Sequence, residues 1–284
     1  MKYPIYLFAA LLLIACGGNP SEEADIPEVT ESQESMTKGP DIVGKEMSYE
    51  ADSVTMKGYL AYDADLSGPR PGVIVVHEWW GHNEHSRNVA DKLAEEGYVA
   101  FALDMYGDGK TAAHPQDAMA FSGAVMSNFE GAKERFAAAM EVLQADEHCD
   151  KDEIAAVGYC FGGGIVLNMA RQGVDLDAVA TLHGSIGPIE PATPGSVKGR
   201  ILVMNGADDP FVSAEAIDSF KSEMEAAGVD YEFVNYEGAI HAFTNPAATA
   251  KGEEFELPLA YNADADSLSW LKLGDFLEET FAGK

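Results

Sequence analysis

A chain of 284 residues can bury a full-sized hydrophobic core, enough for one large domain or two small ones. It carries 48 acidic residues against 18 basic ones, a formal charge of −30. A surface of that sign repels nucleic-acid phosphates and anionic lipid at long range, so neither is expected as a partner, and the charge itself says nothing about fold.

The opening residues, "MKYPIYLFAALLLIAC", place one lysine before an apolar run too short to cross a bilayer comfortably. Leu13-Ile14-Ala15-Cys16 resembles a bacterial lipobox. Residues 1–15 are therefore expected to be a signal peptide, with Cys16 as a lipid-bearing N-terminus. Gly17 rather than aspartate follows the cysteine, so the usual inner-membrane retention signal is missing. The expected location is the cell envelope, at the outer membrane facing the periplasm or the exterior. Residues 16–46, acidic and dotted with Pro, Ser and Gly, read as a flexible tether. The folded domain is expected over 47–284.

Strand-like apolar runs follow at 58–62, 71–77, 97–104, 153–159, 178–184, 200–206 and 230–236. Several are continuously apolar, as strands covered on both faces are. Helix-like segments fall between them at 84–97, 129–145, 163–173 and 213–228, and 267–281 reads as a final amphipathic helix. Gly97 and Gly228 are expected C-caps. The alternation predicts an α/β fold with a doubly wound, mostly parallel sheet flanked by helices. Such sheets place ligands beyond the carboxyl ends of their strands.

Reactive residue types fall at those ends. "IAAVGYCFGGG" runs from a strand through a sharp turn into a helix, and Gly158-Tyr159-Cys160-Phe161-Gly162 is a G-x-C-x-G form of the nucleophile elbow. A helix N-terminus aimed at a thiol favours the thiolate, its reactive form. Asp209 follows the run 200–206, and His241 lies in the loop after the last strand. The order nucleophile, acid, histidine is that of the α/β-hydrolases. Asp208 competes with Asp209, and the spacing Gly206 to Asp209 to Val212 favours the latter. Upstream, "VIVVHEWWGHNEH" offers several histidines, but His77 and His82 are five apart where a strand enters a loop, not four apart on a helix. No metal site is expected, and His82 and His85 read as solvated loop residues. This loop is expected to form an oxyanion pocket from the backbone N–H groups of Trp79 and Phe161. Trp80 is expected as an apolar wall. His183, at the end of "AVATLH", is either a pocket wall or a packed strand-end histidine.

Cys160 in "GYCFGG", Glu78 in "HEWWG", Asp209 in "GADDPFV" and His241 in "HAF" together resemble the dienelactone hydrolase family of α/β-hydrolases, over roughly residues 47–284. The resemblance implies the α/β-hydrolase fold, with Cys160, His241 and Asp209 as a triad and Glu78 tuning the thiol. It also implies hydrolysis of carboxylic esters or lactones through a thioester, with no metal or organic cofactor. The chain departs from the family where arginines hold a substrate carboxylate. Asn245 stands nearest one such position, and 114–129 contains neither Arg nor Lys. A small ester or lactone is the expected partner, the lipid anchor the sole membrane contact, and a monomer the expected state.

Cys149 and Cys160 flank a strand of about seven extended residues, ~20 Å long, whereas a disulfide needs Cα atoms within ~7 Å. Cys160 is expected to stay free. Two other classes compete with the hydrolase. One is a non-catalytic envelope lipoprotein that uses the fold as a binding module. The other is a thiol redox protein, which would need a resolving cysteine within reach.

Overall fold

The computed structural model describes residues 39–282, so the expected signal peptide, Cys16 and most of the tether lie outside the described residues. Eight strands form one sheet: β1 (Ile42–Ala51), β2 (Val54–Asp63), β3 (Arg70–Val76), β4 (Val99–Leu103), β5 (Cys149–Tyr159), β6 (Ala178–Leu182), β7 (Arg200–Gly206) and β8 (Tyr231–Tyr236). Their spatial order is β1-β2-β4-β3-β5-β6-β7-β8, and every pairing from β4 onward is parallel. The helices are α1 (Glu84–Glu95), α2 (Pro115–Ser127), α3 (Phe129–Gln144), α4 (Phe161–Arg171), α5 (Ala214–Ala227), α6 (Ala248–Phe255) and α7 (Ala263–Phe281).

The central strands are apolar on both faces because both faces are covered. Along β3 the side chains alternate: Ile74 and Val76 join the core beneath α3, α4 and α5, while Val73 and Val75 join the core beneath α1 and α7. Phe136, Leu143 and Phe220 fill the first layer, and Leu93, Leu273 and Phe276 the second. Gly228 ends α5 in the left-handed conformation at φ 68°, as its position in the sequence suggests.

The domain boundary at residue 47 needs correction, because β1 begins at Ile42. Among the described residues this strand lies at the sheet edge and pairs with β2, through a two-residue turn. Asp52 and Ser53 both take positive φ there, 49° and 58°, the geometry that matches strand twist in a tight hairpin. Its sequence, IVGKEMSYEA, is half polar because much of it faces solvent, so it carries no run of buried apolar residues. Helices α2 and α6 were also not anticipated. They pack with the loop after β3 into a third, smaller cluster built on Trp80, Ala118, Ala242, Ala248 and Leu259. That cluster caps the carboxyl end of the sheet.

Candidate active site

Four segments converge at this end. Glu78 follows β3, Cys160 follows β5, Asp209 follows β7 and His241 follows β8. Cys160 sits at φ 53°, ψ −113°, a conformation that costs an L-residue ~1–3 kcal/mol. The turn holds it there through close backbone contacts. A Cβ on Gly158 would land on the Gly162 carbonyl, and one on Gly162 would land on the Val76 carbonyl. The Cys160 N–H donates to the Leu182 carbonyl at 3.0 Å, and the N–H groups of Gly163 and Gly164 donate to the Cys160 carbonyl. Phe161 is the first residue of α4, so its N–H has no acceptor within the helix.

His241 bridges the two other groups. Its Nε2 lies 3.1 Å from Cys160 Sγ, and its Nδ1 lies 2.8 Å from Asp209 Oδ2. The other carboxylate oxygen of Asp209 accepts the Phe211 N–H at 2.9 Å, which fixes the acid's orientation. Asp209 is buried and Asp208 is exposed, and Asp209 is the one that contacts His241. Burial is the largest influence on His241 and opposes its protonation, but the Cys160 sulfur and the Asp209 carboxylate outweigh it and raise its pKa to about 10. An imidazolium so close to sulfur stabilises negative charge there.

Glu78 is 3 % exposed, and its Oε2 accepts a hydrogen bond from Asn245 Nδ2 at 2.5 Å. Asn245 Oδ1 accepts the Ala247 N–H, which sets the amide so that its NH₂ faces the carboxylate. The residue nearest an expected arginine position is thus turned toward Glu78.

A pocket of about 200 Å³ opens over the sulfur, lined by Trp79, Cys160, Phe211, His241, Leu257 and Leu259. Among the described residues, no arginine or lysine lines it. The expectations for Trp80 and for the loop histidines need correction. Trp80 is no pocket wall: it is 3 % exposed, packed edge-on to Trp79 and against Phe255, with Lys251 Nζ 3.9 Å from its ring centroid. Of the two readings of His183 the packed one holds: it is fully buried, its Nε2 2.8 Å from Thr244 Oγ1 and its ring edge-on to His241. Burial, followed by the nearby His241, holds its pKa well below the usual imidazole range. His82 is buried rather than solvated, and His85 packs edge-on against Tyr159.

The pocket walls Phe211, Leu257 and Leu259 went unanticipated. Phe211 could have been suspected from its place two residues after Asp209. Leu257 and Leu259 follow a helix with no clear sequence signal, so only the fold reveals them. Cys149 and Cys160 are both free thiols, at opposite ends of β5.

A thiol, a histidine held by a buried carboxylate, and a helix-start N–H beside an apolar pocket are groups of the kinds that acyl transfer uses. The model of the dienelactone hydrolase family matches residues 56–281. Protein usf of Aquifex pyrophilus is 31% identical over 212 residues, spanning 72% of this chain and 88% of that protein. Among solved structures, the dienelactone hydrolase-like promiscuous phosphotriesterase P91, from metagenomic libraries, is similar at a TM-score of 0.78 and 31% identity. That match covers 84% of this chain and 99% of P91. The protein called m3DLH is similar at a TM-score of 0.80 and 34% identity, covering 84% and 99% of the two chains. With the α/β-hydrolase sheet and a family match over most of its length, the chain belongs to the dienelactone hydrolase family and is a hydrolase.

Proposed function

We propose that this protein hydrolyses small, uncharged carboxylic esters or lactones through a thioester on Cys160. The observation that carries the reading is the unbroken chain Cys160 Sγ–His241 Nε2, 3.1 Å, and His241 Nδ1–Asp209 Oδ2, 2.8 Å, at the floor of an apolar pocket.

The sulfur attacks the substrate carbonyl carbon, forming a C–S bond as the C=O electron pair moves onto oxygen. The N–H groups of Phe161 and Trp79 receive that oxyanion. Collapse breaks the C–O bond to the leaving alkoxide, which takes the proton from His241. His241, now neutral and held by Asp209, draws a proton from water. The hydroxide adds to the thioester, and collapse breaks the C–S bond to release the carboxylic acid and the Cys160 thiolate; His241 keeps the proton it drew from water, which restores the starting pair, and the acid gives its own proton to solvent. Phe211 stands edge-on to His241 at 5.0 Å and, with Leu257 and Leu259, offers apolar surface to the acyl or alcohol group. Among the described residues no arginine or lysine lines the pocket, and its one cation, His241, is already engaged by Cys160 and Asp209, so a free carboxylate on the substrate has no spare partner there.

The test is turnover of a small chromogenic acetate ester by the full chain and by Cys160→Ala. The expected result is an acyl burst and steady turnover in the first and neither in the second. Turnover undiminished in Cys160→Ala sinks the proposal. The lipid anchor on Cys16 belongs to the same proposal: in fractionated bacteria the activity should sediment with membranes and become soluble in Cys16→Ser. Because P91 is described as a promiscuous phosphotriesterase, a neutral aryl phosphotriester belongs in the same substrate panel.

A further inference from the structure

The loop after β3 carries an unusual arrangement of carbonyl groups. Glu78 O lies 2.6 Å from His77 Nδ1 and accepts the Gly81 N–H at 3.1 Å. Trp79 O accepts the Tyr106 hydroxyl at 2.9 Å, and Trp80 O accepts the Ala112 N–H at 2.9 Å. Three successive carbonyls are thus held by groups outside the Cys160 pocket. In a trans peptide the C=O and the following N–H point in opposite directions across one plane. Fixing the Glu78 carbonyl therefore fixes the Trp79 N–H on the other side, and Trp79 lines the pocket that holds Cys160.

We propose that His77 and Tyr106 are positioning residues that hold the two peptide planes flanking Trp79, so that the Trp79 N–H stands ready to receive the oxyanion. This rests on the thioester reading above.

The tautomer of His77 follows from its neighbours. The Met105 N–H donates to His77 Nε2 at 3.1 Å, so the ring proton is on Nδ1 and Nδ1 donates to Glu78 O. That Met105 N–H is itself held in place. Asp104, fully buried, accepts the N–H groups of Lys57, Tyr106, Gly107 and Gly109, which sets the loop that presents both Met105 and Tyr106. Burial keeps His77 below the ordinary imidazole range, which keeps it neutral and in one tautomer. Tyr106 packs edge-on to His77 at 4.7 Å and lies 5.5 Å from Phe161, the residue expected to give the other oxyanion donor. One buried collar therefore touches both donors. A preorganised donor costs no reorientation when charge develops, which is where oxyanion stabilisation gets its size.

The test compares His77→Gln, His77→Asn and Tyr106→Phe in the full chain, with two readouts. The first is kcat and KM for the acetate ester. The second is the rate of Cys160 alkylation by iodoacetamide, followed peptide by peptide in a mass spectrometer so that Cys16 and Cys149 do not contribute. Alkylation is a substitution at a saturated carbon and builds no oxyanion, so a donor defect leaves it unchanged. Asparagine puts an amide nitrogen where Nδ1 stands; glutamine puts one nearer Nε2.

The expected pattern is a kcat loss of about tenfold or more in His77→Gln, with KM and alkylation near wild type. His77→Asn should recover to within about threefold, and Tyr106→Phe should lie between. Equal losses in His77→Asn and His77→Gln, or alkylation that falls in step with kcat, would mark His77 as a packing residue and overturn the proposal. If neither His77 variant folds, Tyr106→Phe decides alone, and an unchanged kcat there overturns it. A wild type that alkylates at Cys160 yet turns over no ester instead sinks the thioester reading proposed above, a distinct result.

Discussion

An imidazole with its pKa raised to about 10 is protonated throughout the neutral range, and here it lies 3.1 Å from a sulfur. The consequence is a positive charge held between that sulfur and the Asp209 carboxylate, and it has a thermodynamic face. His241 has a folded pKa above its unfolded one, so its contribution to stability is complete below about 6.5 and is lost as pH rises through about 10. The gap in urea stability between wild type and His241→Gln should therefore shrink as pH climbs from 7 to 10.

The elbow is an element-scale device: a strand, a turn and a helix so close that side chains are excluded between them. Gly162→Ala would drive a methyl group into the Val76 carbonyl, and neither backbone can yield without moving β3 or α4. The expected cost is about 3 kcal/mol in a denaturant melt, with activity falling further because the Phe161 N–H moves too. A loss under about 0.5 kcal/mol, the range of ordinary surface changes, would contradict this. The elbow was legible in the sequence because its glycines are forced by contact and its strand and helix are apolar for burial. Asp209 was suggested by the nearly continuous buried run of β7 before it, whereas β8 is mostly half-buried or exposed and His241 was suggested by chain order, as a histidine in the loop after the last strand. The edge strand β1 was not, because half its side chains face water, and neither was the Asp52-Ser53 turn, which uses positive φ without glycine. Helix α2 has an apolar sequence but an indistinct face, with Met119 64 % exposed and only Ala118 and Val125 buried. The depth of Trp80 and His183 was invisible for another reason. Position along a strand end says which rim a residue occupies, and neighbours supplied by α6 and the loop after β8 decide how far it is covered.

Across the whole molecule two observations bear on one choice of substrate. The chain carries a formal charge of −30, and the pocket over Cys160 is lined by aromatic and leucine side chains, Cys160 and His241, with no lysine or arginine. The first acts at a distance, lowering the local concentration of any anion, and is screened once the Debye length falls to about 3 Å in molar salt. The second acts at contact, because a carboxylate entering an apolar pocket whose one cation, His241, is already engaged by Cys160 and Asp209 loses hydration and gains no hydrogen bond, and salt does not repair that. The two are separable by experiment. A neutral ester and an isosteric ester bearing a remote carboxylate should differ in kcat/KM by at least about tenfold at low salt, from desolvation of one ion at a modest fraction of its full cost. Raising the salt should narrow the gap only in part, the portion recovered measuring the long-range field and the remainder measuring the pocket. Complete recovery in high salt would assign the discrimination to net charge alone, and preference for the anionic ester at any salt would overturn the neutral-substrate assignment.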